Sequence, residues 1–333
     1  AEQVDELRRA HGVVEGDEWN PYGGMADPQR VYGFLCGVPF AAGGIRRYEA
    51  PAVPVPDAFE PLPASDTMST QQGFGRLLAD IARAHPELAD HIVTTAPDVT
   101  VSTNLGGWVN RRGIFDAVDR ADTFKDERIA SPQNWGMSPR GQHIELGIAE
   151  SNLFLLLAAL GLSAPVFGSR LLPIGTVYDP FIARGLDALN YACYQDARFM
   201  IVGTPSGVTL APEGGAHQSI YTTLIGMGQP GLTAYEPAFV DELSVTLRWG
   251  LAHMQAADGG AVYLRLSTRP LAQPARPMTP ALQHDILAGG YWLHPPAPGA
   301  ELAVVACGAV LPEAIEAHAQ LLEDLPGAGL LVV

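Results

Sequence analysis

Three stretches of this chain carry side chains whose types and spacing suit chemistry. The first is HIELGIAESNLFLLLAALG (143–161), where an apolar run leads through Gly147 to Glu150 at the start of a very apolar helical pattern. A carboxylate there can simply satisfy a helix N-terminus. It can also be a largely buried acid of raised pKa, poised to share a proton with a ligand nitrogen. The second is TPSGVTLAPEGGAHQS (204–219), a Gly-rich loop after the strand-like FMIVG that carries Glu213 and His217. Loops at strand C-termini of parallel sheets line ligand crevices, and Gly214 and Gly215 let backbone approach a ligand, although a loop His is commonly just solvated. The third is VYDPFIAR (177–184), in which Tyr178 and Phe181 stand three apart and can present rings on one side of a turn. Core packing accounts for those rings equally well, and Arg184 can serve as an internal ion-pair partner.

Other chemistries lack their residues. There is no GxSxG nucleophile elbow and no GxxxxGK[ST] phosphate loop. No GxGxxG follows a strand, and His253, His284 and His294 have no metal-ligand spacing. A formal charge of −16 argues against nucleic acid and against an anionic membrane surface. Three cysteines, Cys36, Cys193 and Cys307, lie far apart and read as free thiols of a reducing compartment, so a cytoplasmic location is expected. The start, AEQVDELRRA, is amphipathic and charged rather than a signal peptide, and the apolar run 153–162 is too short to span a bilayer.

The elements that must position these groups follow from periodicity. Residues 1–40 open with a short helical pattern and then lose it. Pro51, Pro54, Pro56, Pro61 and Pro63 make an extended linker, so residues 1–64 read as a connector. A helix is expected after Ser69-Thr70, with Phe74, Leu77, Leu78 and Ile81 on one face and Pro86 closing it. Short apolar runs at 92–95, 143–146, 171–176, 199–203, 231–235 and 261–266 then alternate with helical patterns at 148–161, 179–195 and 238–256. That alternation predicts an α/β fold with a doubly wound parallel sheet over 65–275. After the proline-rich break 270–280, residues 284–333 read as the start of a second α/β domain, with a strand at 301–307, a helix at 312–325 and another strand from 329. One such unit cannot cover its own sheet faces, which predicts a chain cut short or supported by other material.

The three stretches, in this order, resemble the pyrimidine-binding domain of the thiamine-diphosphate enzymes of the transketolase superfamily. Gly147-Ile148-Ala149-Glu150 is similar to that domain's signature, which implies that Glu150 hydrogen-bonds the cofactor's aminopyrimidine. Tyr178, Phe181 and Arg184 resemble a Tyr-x-x-Phe-x-x-Arg pattern whose Phe stacks on the pyrimidine. Glu213 to His217 resembles the loop of an active-site His that contacts substrate. The stretches 204–219 and AYEPAFVDEL (234–243) look most like the homodimeric-type decarboxylating component of pyruvate dehydrogenase, whereas transketolases usually have Arg-Pro-Ala-Asp near 235–238. VFGSRLLPI makes the spacing before Tyr178 longer than in deoxyxylulose-phosphate synthases.

The resemblance implies a thiamine-diphosphate-binding fold, oxidative decarboxylation of a 2-oxo acid, with pyruvate favoured, and acyl transfer to a lipoyl group. It further implies Glu150 and His217 as catalytic residues, a homodimer, and a lipoyl-bearing acyltransferase partner. The Gly-Asp-Gly…Asn motif that holds Mg²⁺ and the diphosphate has no counterpart here, so those groups are expected on a domain outside this chain. Ketol transfer between sugar phosphates, and a non-catalytic dimerising scaffold, are the alternatives.

Overall fold

The computed structural model describes residues 2–38, 49–59, 67–121, 126–129 and 134–333. Pro61, Pro63 and the connector boundary at 64 lie outside these residues. Ala1–Ala50 with Ser163–Ser169 make one compact unit, and Pro51–Leu162 with Arg170–Val333 make the other.

In the first unit, a helix at Glu2–Ala10 is followed by a second at Pro28–Gly37, which the loss of apolar periodicity after the first helix had concealed. The signal for the second helix is in its cap. Asp27 accepts a hydrogen bond from the Arg30 amide, and Pro28 takes the first helical position, where its missing N–H costs nothing.

The second unit is built on an eight-stranded sheet with neighbours in the order β4-β3-β5-β2-β6-β7-β9-β8, every pair parallel. Its strands are β2 (Ile92–Ala96), β3 (Ile114–Phe115), β4 (Met137–Ser138), β5 (His143–Glu145), β6 (Leu172–Val177), β7 (Met200–Gly203), β8 (Leu232–Tyr235) and β9 (Ala261–Arg265). All positions of β6, β7 and β9 are buried, as expected where helices cover both faces. One face packs Phe74, Leu77, Leu78 and Ile81 of the helix Thr70–Ala84, together with Trp108 and Leu243, against Ile174 and Val202. The helix starts where the sequence predicts, on a capping box between Ser69 and Gln72. The other face packs Leu153, Phe154 and Leu157 of the helix Glu150–Gly161 with Leu189 of the helix Leu186–Tyr194 against Val177, Ile201 and Tyr263.

Residues 179–195, expected as one helix, divide into a 3-10 segment at Asp179–Gly185 and an α-helix from Leu186. Pro180 stands in the first turn of the 3-10 segment, where its missing amide would have no helical partner.

A short pair, β1 (Thr67–Met68) with β10 (Leu271–Ala272), brackets the main sheet in sequence. The C-terminal residues form a separate sheet in the order β11-β13-β12. Here β12 (Ala303–Ala306) runs parallel to β13 (Gly329–Val332), the helix Leu311–Asp324 lying between them in sequence, and β11 (Tyr291–His294) pairs antiparallel with β13. The antiparallel strand lies outside the expected strand–helix–strand unit. No helix among the described residues is long and apolar enough to cross a membrane.

All three cysteines are free. Burial pushes the Cys193 thiol up to about 11 and also raises Cys307, while Cys36 is exposed. Because the thiolate is the nucleophile, iodoacetamide at neutral pH should label Cys36 first in the native protein. Peptide mapping after a short pulse checks this, and Cys193 labelled as fast as Cys36 would refute it.

Candidate active site

Three parallel strands deliver the chemistry, β6 and β7 side by side and β5 separated from β6 by β2. β5 leads through Gly147, at φ +64°, to Glu150, β6 runs into Tyr178, and β7 ends at Gly203 before the loop that holds His217. The left-handed backbone at Gly147 turns the chain sharply between strand and helix, a conformation that side-chain-bearing residues avoid.

The base of β5 is fixed by a buried polar network. His143 is fully buried, with Nδ1 2.9 Å from the Thr94 hydroxyl and Nε2 2.8 Å from the Thr100 hydroxyl. The Thr100 hydroxyl donates to Glu145 at 2.5 Å, and the Asp98 amide donates to its other oxygen at 2.8 Å. Burial opposes ionisation of Glu145, yet the hydrogen bonds from His143, Thr100 and the Asp98 amide outweigh it and hold that carboxyl below the usual range. The strand from which the Glu150 loop departs is therefore anchored to its neighbour β2 by side chains as well as by the ladder.

Glu150 is the first residue of its helix and 9% exposed. Its Oε1 accepts a hydrogen bond from Arg184 Nη1 at 2.9 Å, and the Arg184 guanidinium also sits 3.9 Å over the centre of the Phe181 ring. Phe181 lies 6.0 Å from Tyr178 and 5.5 Å from the His217 ring, and Tyr178 lies 5.4 Å from His217, all centre to centre. His217 Nε2 is 3.9 Å from Glu213 Oε2. His217 Nδ1 is buried and has no hydrogen-bond partner among the described residues. The structure thus brings Glu150, Tyr178, Phe181, Arg184, Glu213 and His217 into one contiguous cluster, although the outermost of them are 67 positions apart. Arg184 is not withdrawn into the core, since its side chain is 55% exposed, and it links the carboxylate to the aromatic pair.

One glycine keeps the cluster close-packed. A side chain at Gly185 would strike the Phe154 ring and crowd the Glu150 carbonyl, so glycine there lets the 178–185 segment lie against the Glu150 helix. Ser151 ties the same two segments through its hydroxyl, which donates to the Arg184 carbonyl at 3.2 Å.

Behind the cluster lies an ionic network that the sequence reading did not single out. Asp179, fully buried, accepts hydrogen bonds from Ser219, Thr222, Tyr263 and Arg265. Arg265 in turn reaches Glu236 at 2.5 Å and the Ser219 carbonyl at 2.9 Å. Burial pushes the Glu236 carboxyl up despite Arg265, and the two acids together hold the Arg265 guanidinium charged against its burial. The one local signal for Asp179 is an acidic residue set in the otherwise apolar VYDPFI.

A parallel α/β sheet whose strand C-termini present a carboxylate, an aromatic pair and a His loop is of the doubly wound class, in which ligand crevices form at that edge. The architecture is similar to transketolase from Leishmania mexicana, at a TM-score of 0.63 and 17% identity over all of this chain and 40% of that one. The family model for the pyruvate dehydrogenase E1 component middle domain matches residues 63–269. The chain is 29% identical to the pyruvate dehydrogenase E1 component of Mycolicibacterium smegmatis over 265 residues, 78% of this chain and 28% of that protein. It is 28% identical to the pyruvate dehydrogenase E1 component of Pseudomonas aeruginosa over 306 residues, 87% of this chain and 34% of that protein. The chain belongs to the pyruvate dehydrogenase E1 middle-domain family, within the thiamine-diphosphate-dependent transketolase superfamily. It spans about a third of the length of these relatives.

Proposed function

We propose that this chain supplies the pyrimidine-binding half of a thiamine-diphosphate site that oxidatively decarboxylates a 2-oxo acid, pyruvate, and passes the acyl group to a lipoyl group. The observation that carries the reading is the cluster itself: a nearly buried acid, an aromatic face and a His nitrogen without a partner among the described residues, all at the C-terminal edge of β5, β6 and β7. An aminopyrimidine ring fits that donor set, since it needs a proton-sharing acid at a ring nitrogen and a flat apolar surface to stack on.

On this reading Glu150 holds the proton at the pyrimidine nitrogen, in surroundings dry enough that water does not compete for the hydrogen bond. Phe181 and Tyr178 orient the ring, and Arg184 keeps Glu150 in place from the exposed side. His217, steadied by Glu213, stands where it can hold the substrate or assist acyl transfer. When bound, the cofactor supplies the electron sink that decarboxylation requires. The protein contributes position, dryness and charge.

Residues 65–275 are then the pyrimidine-binding domain and 284–333 the start of a C-terminal domain, with the diphosphate and Mg²⁺ held on a separate domain. The enzyme works as a cytoplasmic homodimer with a lipoyl-bearing acyltransferase. Support for the dimer comes from large apolar side chains left in solvent on the segments 148–155, 191–194 and 220–227. Ile148, Leu155, Tyr191, Tyr194, Ile220, Leu224 and Met227 are all exposed, and large apolar patches mark association surfaces.

The test is turnover by the holoenzyme with thiamine diphosphate and Mg²⁺. Pyruvate with an artificial electron acceptor should be consumed, and xylulose phosphate with an aldose acceptor should not. Turnover of xylulose phosphate alone would replace this reading with ketol transfer. Absence of both turnover and calorimetric binding of thiamine diphosphate would leave a non-catalytic scaffold.

A further inference from the structure

Tyr178, Phe181 and His217 come from two different loops, and something must hold those loops at a fixed separation. The 178–185 segment follows β6, and the 214–222 segment follows β7. Few backbone hydrogen bonds join them, and the 214–217 turn is closed mainly on itself by the His217 amide to the Gly214 carbonyl.

Asp179 sits between them. It follows Tyr178 directly in sequence and is fully buried. One of its carboxylate oxygens receives Ser219 Oγ, Thr222 Oγ1 at 2.5 Å and Arg265 Nε at 3.1 Å, while the other receives the Tyr263 hydroxyl. Ser219 and Thr222 lie two and five residues beyond His217. Arg265, at the end of β9, grips the same loop a second time through the Ser219 carbonyl. Space for the carboxylate exists because position 203, at the end of β7, is glycine: a Cβ there would collide with Asp179 and press on Tyr263 and Ile182. Desolvating a carboxylate is costly and only full pairing offsets it, so a neutral residue would close the core with less risk. The four donors converging on Asp179 come from β9, the His217 loop and the helix Thr222–Gly228.

We propose that Asp179 is a positioning residue that sets the distance between the aromatic pair Tyr178–Phe181 and His217, with Arg265 as its anchor on the sheet. Its catalytic consequence rests on the assignment of those three residues to the cofactor site. Its structural consequence does not.

The experiment is hydrogen exchange by mass spectrometry on the full chain without ligand, comparing wild type with Asp179→Asn. Arg265 keeps Glu236 as its partner in the variant, so no lone cation is left in the interior and the fold should be retained. Loss of these charge-assisted bonds should speed exchange in segments 178–185 and 214–222 by about tenfold or more, with β2 and β6 unchanged. If Asp179→Asn does not fold, the pair Ser219→Ala and Thr222→Val removes the loop-side donors without altering charge, and the same local acceleration is expected in 214–222. Unchanged exchange in both segments, or acceleration spread evenly over the sheet, would overturn the proposal.

In the holoenzyme, Asp179→Asn should raise KM for thiamine diphosphate and lower kcat together, since ring stacking and His217 placement both change. Both parameters staying within about twofold of wild type would also overturn it. A wild-type holoenzyme without thiamine-dependent turnover would remove the functional reading, yet the exchange result would still decide the role of Asp179 in the fold.

Discussion

Glu150→Gln in the holoenzyme is expected to lower pyruvate turnover by about 10²–10³, corresponding to about 3–4 kcal/mol of lost transition-state stabilisation. Glutamine keeps the size of the side chain and can still accept a hydrogen bond from Arg184, but it cannot share a proton with a ring nitrogen. Stability should change by less than about 1 kcal/mol, because Arg184 is more than half exposed and ion pairs of that kind contribute little. If Glu150 served only as a helix-terminal carboxylate, the order would invert, with rate nearly intact and a few tenths of a kcal/mol lost in stability. Steady-state kinetics at saturating thiamine diphosphate, alongside a thermal melt, separates the two. Near-normal decarboxylation by the variant would defeat the assignment.

The largest stability effect is expected at Glu242, in the helix Val240–His253. Its carboxylate is 3% exposed and accepts from the Ala238 amide at 2.8 Å, from Arg276 at 3.1 Å and from the Tyr291 hydroxyl of β11 at 2.6 Å. It therefore caps its own helix and bonds a side chain of the second sheet at once. Glu242→Ala should cost about 3 kcal/mol, toward the low end for breaking a buried pair because Arg276 retains Asp241 at 2.7 Å. For a chain of this size that lowers Tm by roughly 4–5 °C.

Glu242→Gln supplies the electrostatic half of the argument. Burial pushes the Glu242 carboxyl up, and the Tyr291 and Arg276 contacts only partly offset it. A folded-state pKa above the unfolded one means that the group's contribution is complete below the unfolded value and is lost as pH rises through the folded one. The glutamine cannot ionise, so the stability difference should move in favour of Gln as pH rises above the ordinary carboxylate range. Denaturant melts of both proteins from mildly acidic to neutral pH measure it, and a difference that stays constant would show that its surroundings do not raise the Glu242 carboxyl.

Much of this protein is written in short-range pattern. The helix at 70–84 follows from apolar residues three and four apart behind a Ser69 cap, β6 and β7 from short runs with every position apolar or small, and β9 from the apolar run that precedes Arg265. Those signals are local because a helix turn or a strand pleat repeats within a few residues. Glu150 and His217 were legible for a related reason, since each follows a strand and strand ends are where a parallel sheet opens to ligand. Strands β3 and β4, of two residues each, carry no such repeat, and only their neighbours in the sheet make them strands.

The convergence of Tyr178, Phe181, Arg184, Glu213 and His217 on Glu150 was decided in three dimensions. So was the network behind them: Asp179 and Arg265 are 86 positions apart, and Glu236 lies 29 positions before Arg265. Each of these residues alone reads as an ordinary surface charge. What joins them into one network, with Asp179 and Arg265 buried, is the order in which parallel strands are laid side by side, with β7 and β9 adjacent although β8 lies between them in sequence. Local periodicity determines that strands and helices form and which faces they bury. It carries no information on which strand ends become neighbours, because that choice is made by the whole sheet when it closes its core.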